Sequence, residues 1–216
     1  MTLCHKKRAA MTLIDIHTHN STPAANSIYN SGHYIAGRKI SVGIHPWDIN
    51  SNWESEFQTI AEYAKAENVV AIGECGFDIL KSPATIELQE EIFRAHAQLA
   101  DALFKPLIIH CVKAFDRLMA LHKELNPQQA WIIHGFRSKP QQAAQLINAG
   151  FYISLGERFN PDSAQAIPTE RLFIESDESN QPITEIYTAV AQAKGIATEA
   201  LTHQIMQNAK RCNIAL

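Results

Sequence analysis

Acidic and histidine side chains recur at the ends of short apolar runs in this sequence. The stretch LIDIHTHN places Asp15, His17 and His19 at alternate positions. Alternate side chains of a strand point to the same face, so these three groups are expected to lie together. Burying polar groups without partners is costly. Imidazoles and carboxylates are ordinary ligands of divalent metal ions, and such an ion would satisfy a cluster of this kind.

The same pattern returns at five later points of the chain. The polar residues at or just after the ends of ISVGIH, VVAIGE, PLIIH, WIIH and LFIES are His45, Glu74, His110, His134 and Asp177. A lone histidine at a strand end is more often a hydrogen-bonded structural residue than a ligand, and an isolated aspartate can cap a helix. Each such interpretation needs a separate partner for each residue, whereas one dinuclear metal centre satisfies them together.

Four histidines and two carboxylates favour transition metals such as Zn or Mn, because Mg prefers oxygen ligands. The predicted cofactor is therefore a pair of divalent ions (Zn, Mn or Mg, with a transition metal favoured). Two ions about 3.5–4 Å apart stabilise the attacking and leaving oxygens of a displacement and activate water. Asp15 lies deeper in its strand. It either orients a ligand histidine or pairs with a backbone or hydroxyl donor, and both alternatives stay open.

The order of elements says how these residues are positioned. Eight apolar runs are interpreted as strands, at residues 12–17, 27–30, 40–45, 69–74, 106–110, 130–134, 151–155 and 172–176. Apolar residues at three- and four-residue steps predict helices at 53–67, 85–104, 114–125, 140–149, 183–193 and 198–209.

Strand and helix alternation predicts an α/β fold with a parallel sheet, and eight strands indicate a TIM-type (β/α)8 barrel. Residues 18–26, which separate the first two strands, are too few for a full crossover helix, so we expect a barrel reduced in its first βα units. In such a barrel the strand ends meet at one mouth, where catalytic groups lie. An open doubly wound sheet is the alternative.

The 216 residues fit one domain, predicted at 11–216, with residues 1–10 as a disordered or extra segment. A net charge of −3 excludes a global basic field that would capture nucleic acid by charge alone. The four cysteines are scattered, which is typical of a reducing compartment. No apolar run approaches the roughly 20 residues of a membrane span, and the expected location is the cytoplasm.

Ordered motifs across nearly the whole chain resemble those of the TatD family of metal-dependent hydrolases, within the amidohydrolase-like barrels. DIHTH is similar to the family's DxHxH, GIHPW to GIHP, and GECGFD to GEIGLD. PLIIH and WIIHGF are similar to two later histidine strands, and RLFIESD to RLLxETD. The resemblance covers about residues 11–216.

The resemblance implies a role for each matching position. The ligands that it assigns to a first metal are His17, His19, Glu74 and Asp177. Glu74 would bridge to a second metal that is also held by His110 and His134. Asp177 matches the residue that positions or deprotonates the attacking water, so Asp177 and Glu74 are the expected catalytic residues, and His45 matches a histidine that lines the substrate pocket.

The family includes deoxyribonucleases, so the resemblance implies phosphodiester hydrolysis, with DNA or a small phosphodiester as substrate. The alternative is a hydrolase of another ester or amide that uses the same dinuclear site. The third alternative, a protein that binds without catalysis, would need a reason to keep all six ligands.

The cations and acids near the predicted mouth depart from the family pattern. Val112 stands where the family has Arg, while HGFRS, in place of HCFSG, introduces Arg137. We hypothesise that Arg137 and Lys113 bind an anionic group of the substrate; the alternative is that both are solvated loop residues. Glu178 begins Glu-Ser-Asn where the family has Ala-Pro-Tyr, and an acid beside a phosphate is unfavourable.

Overall fold

All eight predicted strands are present in the computed structural model, which describes residues 12–21 and 26–215. The strands are Asp15–Thr18 (β1), Ser27–Ser31 (β2), Ile40–Val42 (β3), Val69–Asp78 (β4), Leu107–Val112 (β5), Trp131–Ile133 (β6), Tyr152–Leu155 (β7) and Leu172–Ile174 (β8). They are all parallel and neighbour one another in chain order. Residues 1–10, predicted as a disordered or extra segment, lie outside the described residues.

The first strand and the residues just after the last strand meet, which nearly closes the sheet into a barrel. The Asp177 N–H donates to the His17 carbonyl oxygen, and the His19 N–H donates to the Asp177 carbonyl oxygen, both at 3.0 Å. Sequential strand order with this closing contact is the topology of a TIM-type barrel. The predicted fold is confirmed, and the alternative of an open doubly wound sheet is wrong.

Seven α-helices follow the later strands. They are Trp53–Tyr63 (α1), Ile86–Ala102 (α2), Phe115–Leu125 (α3), Pro140–Asn148 (α4), Pro161–Ala166 (α5), Ile183–Lys194 (α6) and Thr198–Arg211 (α7), and a 3-10 turn spans Thr169–Arg171. The described parts of the β1–β2 and β2–β3 connections contain no helix, so the barrel is reduced in its first units as predicted. No helix within the described ranges is both long and apolar enough to cross a membrane.

Helix α5 and the 3-10 turn were not predicted. At six residues, α5 is too short to show a helical period. Its local signal is the pair Asn160-Pro161, because the Asn160 Oδ1 accepts hydrogen bonds from the N–H groups of Asp162 and Ser163. A side-chain cap followed by proline at the first helical position is a typical helix start.

Strand β4 is buried along its whole length and is the longest strand of the barrel. Two glycines let it approach β5. Gly73 and Gly76 have φ values of 120° and 142°, and a Cβ atom at either position would collide with a carbonyl oxygen of β5. The glycines of GECGFD therefore serve close packing, and the acids between and after them are held in a tightly packed strand.

Several strands end earlier than predicted. β3 stops at Val42, β6 at Ile133 and β8 at Ile174. Three predicted site residues, His45, His134 and Asp177, consequently lie on the loops that leave the carboxyl ends of these strands. The cysteines within the described ranges, Cys75, Cys111 and Cys212, are free thiols.

Candidate metal centre

The carboxylate of Glu74 is the centre of a histidine cluster at the mouth of the barrel. The Nε2 atoms of His17 and His19 lie 3.2 and 3.5 Å from the Glu74 Oε2. The Glu74 Oε1 lies 2.8 Å from His110 Nδ1 and 2.6 Å from His134 Nε2. The imidazoles of His17 and His19 therefore face one oxygen of Glu74, and those of His110 and His134 face the other.

Asp177 completes the set of predicted ligands. Its Oδ1 lies 3.8 Å from His17 Nε2 and 3.9 Å from His19 Nε2. Asp177 has a φ of 53°, in the left-handed region, and it forms a parallel bridge with Thr18 of β1. The structure brings all six predicted ligands together.

His45, predicted to line the substrate pocket, also reaches this cluster. Its Nδ1 accepts the backbone N–H of Trp47 at 3.1 Å, so the proton of the neutral ring is on Nε2. That Nε2 lies 3.1 Å from the Glu74 Oε1. A protonated nitrogen donates a hydrogen bond and does not ligate a metal, which suits contact with substrate.

The donor set fits divalent ions. His17 is completely buried, and neither of its ring nitrogens has a hydrogen-bond partner. Unpartnered buried nitrogens are costly, and a metal would satisfy the Nε2, which is the nitrogen that faces Glu74. Ligand atoms lie within 4.8 Å of one another in three groups, which are His17–His19–Glu74, His17–His134–Asp177 and His45–Glu74–His110. Glu74 belongs to the first and third groups, and since the Nε2 of His45 carries a proton, the candidate ligands of the third group are Glu74 and His110.

The charges within the cluster are strongly coupled. Burial raises the pKa of Glu74, but the nearby His134 and His17 outweigh it and hold that pKa well below its usual value. Burial lowers the pKa of His134, yet Glu74 and Glu175 outweigh it and raise that pKa well above its usual value. A divalent cation would supply positive charge beside Glu74, and imidazoles that ligate such an ion are neutral.

The mouth around this centre is a cavity of about 650 Å³ with cations on its rim. Lys113 and Arg137, both predicted substrate-binding residues, line it, as do Lys81 and Arg158. The Arg137 Nη2 lies 3.9 Å from the Asp177 Oδ2, and 53% of the Arg137 side chain is exposed. Sequence analysis missed Arg158, whose segment GERF has no distinguishing spacing.

A model of the family described as TatD related DNase matches residues 4–213 of the chain. The chain belongs to the TatD family. YcfH of Escherichia coli (strain K12), an uncharacterized metal-dependent hydrolase, is 31% identical over 79% of this chain and 72% of its own length. A Klebsiella pneumoniae (strain 342) protein, named 3'-5' ssDNA/RNA exonuclease TatD, is 28% identical over 89% of this chain and 83% of its own length.

The solved structure of YjjV, a TatD homologue from E. coli K12, matches with a TM-score of 0.77 over 91% of this chain and 96% of YjjV. At 18% sequence identity this likeness shows the fold alone. The resemblance to TatD metal-dependent hydrolases predicted from the motifs is confirmed.

Sequence analysis missed two acids of this TatD chain that support the cluster from outside. The Asp78 Oδ2 lies 3.3 Å from His110 Nε2, so His110 presents its Nδ1 to Glu74. Carboxylates in this position fix the tautomer and direction of ligand histidines. Asp78 follows Glu74 by four positions in GECGFD. Side chains four positions apart in a strand lie on the same face, and this spacing could have identified Asp78 from the sequence.

Glu175 is the second supporting acid. It is fully buried, its Oε1 accepts the Gly135 N–H at 2.5 Å, and it lies 3.7 Å from His134 Nδ1. Asn30 supports Glu74 itself, because its Oδ1 accepts the Glu74 N–H at 2.9 Å. An acid embedded in the apolar run LFIES was a usable signal for Glu175, whereas nothing in the weak second strand marked Asn30.

Asp15 contacts Ser176, which decides between the two alternatives for this residue. It accepts hydrogen bonds from the Ser176 N–H at 2.9 Å and the Ser176 hydroxyl at 2.6 Å. Burial raises the pKa of Asp15 to about 7. Asp15 therefore ties β1 to the segment that carries Asp177, as a buried acid with backbone and hydroxyl donors.

His96 of α2 holds the segment that leads to His45. Its Nε2 accepts the Ile44 N–H at 3.0 Å, and its Nδ1 donates to the Ile92 carbonyl oxygen at 2.8 Å. Burial lowers the pKa of His96 to about 4 from 6.5. The unfolded chain therefore binds this proton first, so the contribution of neutral His96 is complete above pH 6.5 and is lost as the pH falls towards 4.

We expect this one group to lower the free energy of unfolding by about 3 kcal/mol between pH 7.5 and pH 4. Urea unfolding of the metal-free protein at several pH values measures it, and His96→Gln should flatten the dependence by that amount. The exposed His203 gives a control, since His203→Gln should follow the wild-type curve. Parallel curves for wild type and His96→Gln would contradict the assignment.

Proposed function

We propose that this TatD chain is a two-metal phosphodiesterase that cleaves single-stranded nucleic acid or a small phosphodiester. The observation that carries the proposal is the division of imidazoles between the two oxygens of Glu74. His17 and His19 face Oε2, whereas His110 and His134 face Oε1. A carboxylate flanked in this way suits two neighbouring ions, one on each oxygen.

In this proposal the first ion would be held by His17, His19, Glu74 and Asp177, and the second by Glu74, His110 and His134. When bound, such ions stabilise charge on the oxygens of the reacting phosphate and lower the pKa of water. Asp177 is partly exposed to the cavity, so its carboxylate is placed to orient the attacking water and accept its proton. His45 Nε2–H, which lies 3.1 Å from the Glu74 Oε1 here, would donate to the substrate once an ion occupies that oxygen.

The rim cations support an anionic substrate. Arg137 and Lys113 line the cavity, and the guanidinium of Arg137 can bind a phosphate with two parallel hydrogen bonds. The name of the Klebsiella relative, 3'-5' ssDNA/RNA exonuclease, supports the end of a single strand as substrate.

The second candidate function is hydrolysis of a neutral ester or amide at the same centre. Glu178 favours it, because this exposed acid lines the cavity beside Asp177 and would repel a phosphate. A panel of chromogenic phosphodiester, phosphomonoester and carboxyl ester substrates, each with Mn, Zn or Mg, separates the candidates. Faster turnover of the carboxyl ester would favour the second.

Arg137→Ala tests whether Arg137 binds the anionic group of the substrate. Losing one charged contact costs about 1.5–3 kcal/mol, so kcat/KM on a phosphodiester should fall roughly tenfold to a hundredfold. A neutral ester of matched size should be unaffected. Arg211→Ala, at the far end of α7, is the control. Equal slowing of both substrates, or of neither, would show that Arg137 does not bind the anionic group.

A further inference from the structure

An exposed tryptophan lies at the rim of the cavity and is not among the predicted metal ligands. Trp47 lies on the loop after β3, two residues beyond His45, and 43% of its surface is exposed. Large aromatic side chains gain most from burial. An indole left open at the mouth of a candidate active site is therefore a candidate contact for substrate.

The indole of Trp47 is held in a fixed orientation. Its Nε1–H donates to the Asp78 Oδ2 at 2.7 Å. Its ring lies 4.7 Å from the His45 ring and 5.7 Å from the His110 ring, at interplanar angles of 81° and 75°. A bound partner would therefore not have to immobilise the indole, and it would lie beside two imidazoles of the cluster.

The neighbours of Trp47 add apolar surface and positive charge. Leu80, on the loop after β4, is 68% exposed and lines the same cavity. The Lys81 Nζ lies over the indole ring, 4.3 Å from its centre, and this flexible side chain must move aside for a base to stack on that face. We call Trp47, Leu80 and Lys81 the rim platform. Arg137 and Arg158, on the loops that follow β6 and β7, lie on another side of the mouth.

We propose that the rim platform binds a nucleobase next to the scissile phosphate, with the indole of Trp47 stacked on the base. The inference rests on the proposed phosphodiesterase function and adds the residues that would contact a base of the strand. Stacking on an aromatic side chain accepts every base because each has a π-face. The Lys81 ammonium is placed for a neighbouring phosphate of the strand, while Arg137 binds the phosphate at the centre.

Two substrates separate stacking from catalysis. One is a single-stranded thymidine pentanucleotide, and the other is the same strand with abasic residues at its last two 3′ positions. Stacking contributes about 1–3 kcal/mol per base, so wild type should cleave the abasic end with a kcat/KM lower by roughly fivefold to a hundredfold. Trp47→Ala should lose that preference, and Trp47→Phe should keep most of it.

The abasic strand also controls for damage to the metal centre. Trp47→Ala removes the hydrogen bond to Asp78, which would slow both substrates alike through His110, whereas loss of stacking slows only the base-bearing strand. Phe104→Ala, which removes an exposed aromatic at the opposite end of the barrel, should leave the preference unchanged.

A binding measurement is independent of turnover. In a Trp53→Phe background, the metal-free protein should lose tryptophan fluorescence on titration with the pentanucleotide, and Trp47→Phe should abolish that change. Cleavage of neither strand would overturn the phosphodiesterase proposal and the platform with it. Equal cleavage of both strands by wild type, or quenching that survives Trp47→Phe, would overturn the platform alone.

Discussion

Asp177→Asn is expected to reduce hydrolysis by about 10²–10⁴-fold, the usual contribution of a positioned acid or base, while the chain still folds. The substitution keeps the size of the side chain. It removes the charge that faces His17 and His19 at 3.8 and 3.9 Å, and with it the ability to accept a proton. Its backbone bonds to His17 and His19, which close the barrel, are preserved. Initial rates and a thermal melt measure the two effects separately.

Glu178→Gln is the matched control because it removes the same unit of charge one residue further along. Glu178 is exposed and makes no ion pair with the described residues, so this variant should not lose activity. On a phosphodiester it should be as fast as wild type or faster, because the change removes a charge that repels the phosphate. If Asp177→Asn retained activity within about twofold of wild type, Asp177 would neither orient the attacking water nor accept its proton.

The cluster could be predicted from sequence because the carboxyl ends of all strands lie at the same end of a parallel barrel. His17, Glu74, His110 and His134 each sit at or near the carboxyl end of an apolar run, and all such ends share one mouth. The reduced first units were predictable for a similar reason, since residues 18–26 cannot supply a helix and a return. Exact strand ends were not, because backbone pairing between neighbours decides them.

The supporting residues could not be predicted because their partners come from distant parts of the chain. Asn30 acts on Glu74 across 44 residues, and Ser176 pairs with Asp15 across 161. A buried acid such as Glu175 is visible in the sequence, but whether it ligates a metal or orients a histidine depends on side-chain direction. Glu175 lies 3.7 Å from the Nδ1 of His134, the nitrogen that faces away from Glu74, so its position is that of a residue that orients a histidine.

Glu74→Gln is expected to abolish the binding of both ions. Each Glu74 oxygen faces two predicted ligand imidazoles, so removing the negative charge weakens both halves of the centre together. Glutamine keeps the shape, and its amide can still accept and donate hydrogen bonds to neutral histidines. The metal-free variant should therefore fold. Metal content after gel filtration should fall from two ions per chain to none, with hydrolysis lost in parallel.

Glu175→Gln is the control for Glu74→Gln. It also removes one buried negative charge, but from a residue that is not predicted to bridge the two ions. Glu175 is at least as buried as Glu74 but touches His134 from the outer side. Losing such an outer partner typically lowers metal affinity about 10–100-fold, so this variant should still bind two ions in a calorimetric titration, more weakly. If Glu74→Gln also kept two ions, Glu74 would not bridge them. If it kept one, the division of imidazoles between its oxygens would mark a single metal site and a neighbouring hydrogen-bond cluster, and the two-metal proposal would be wrong.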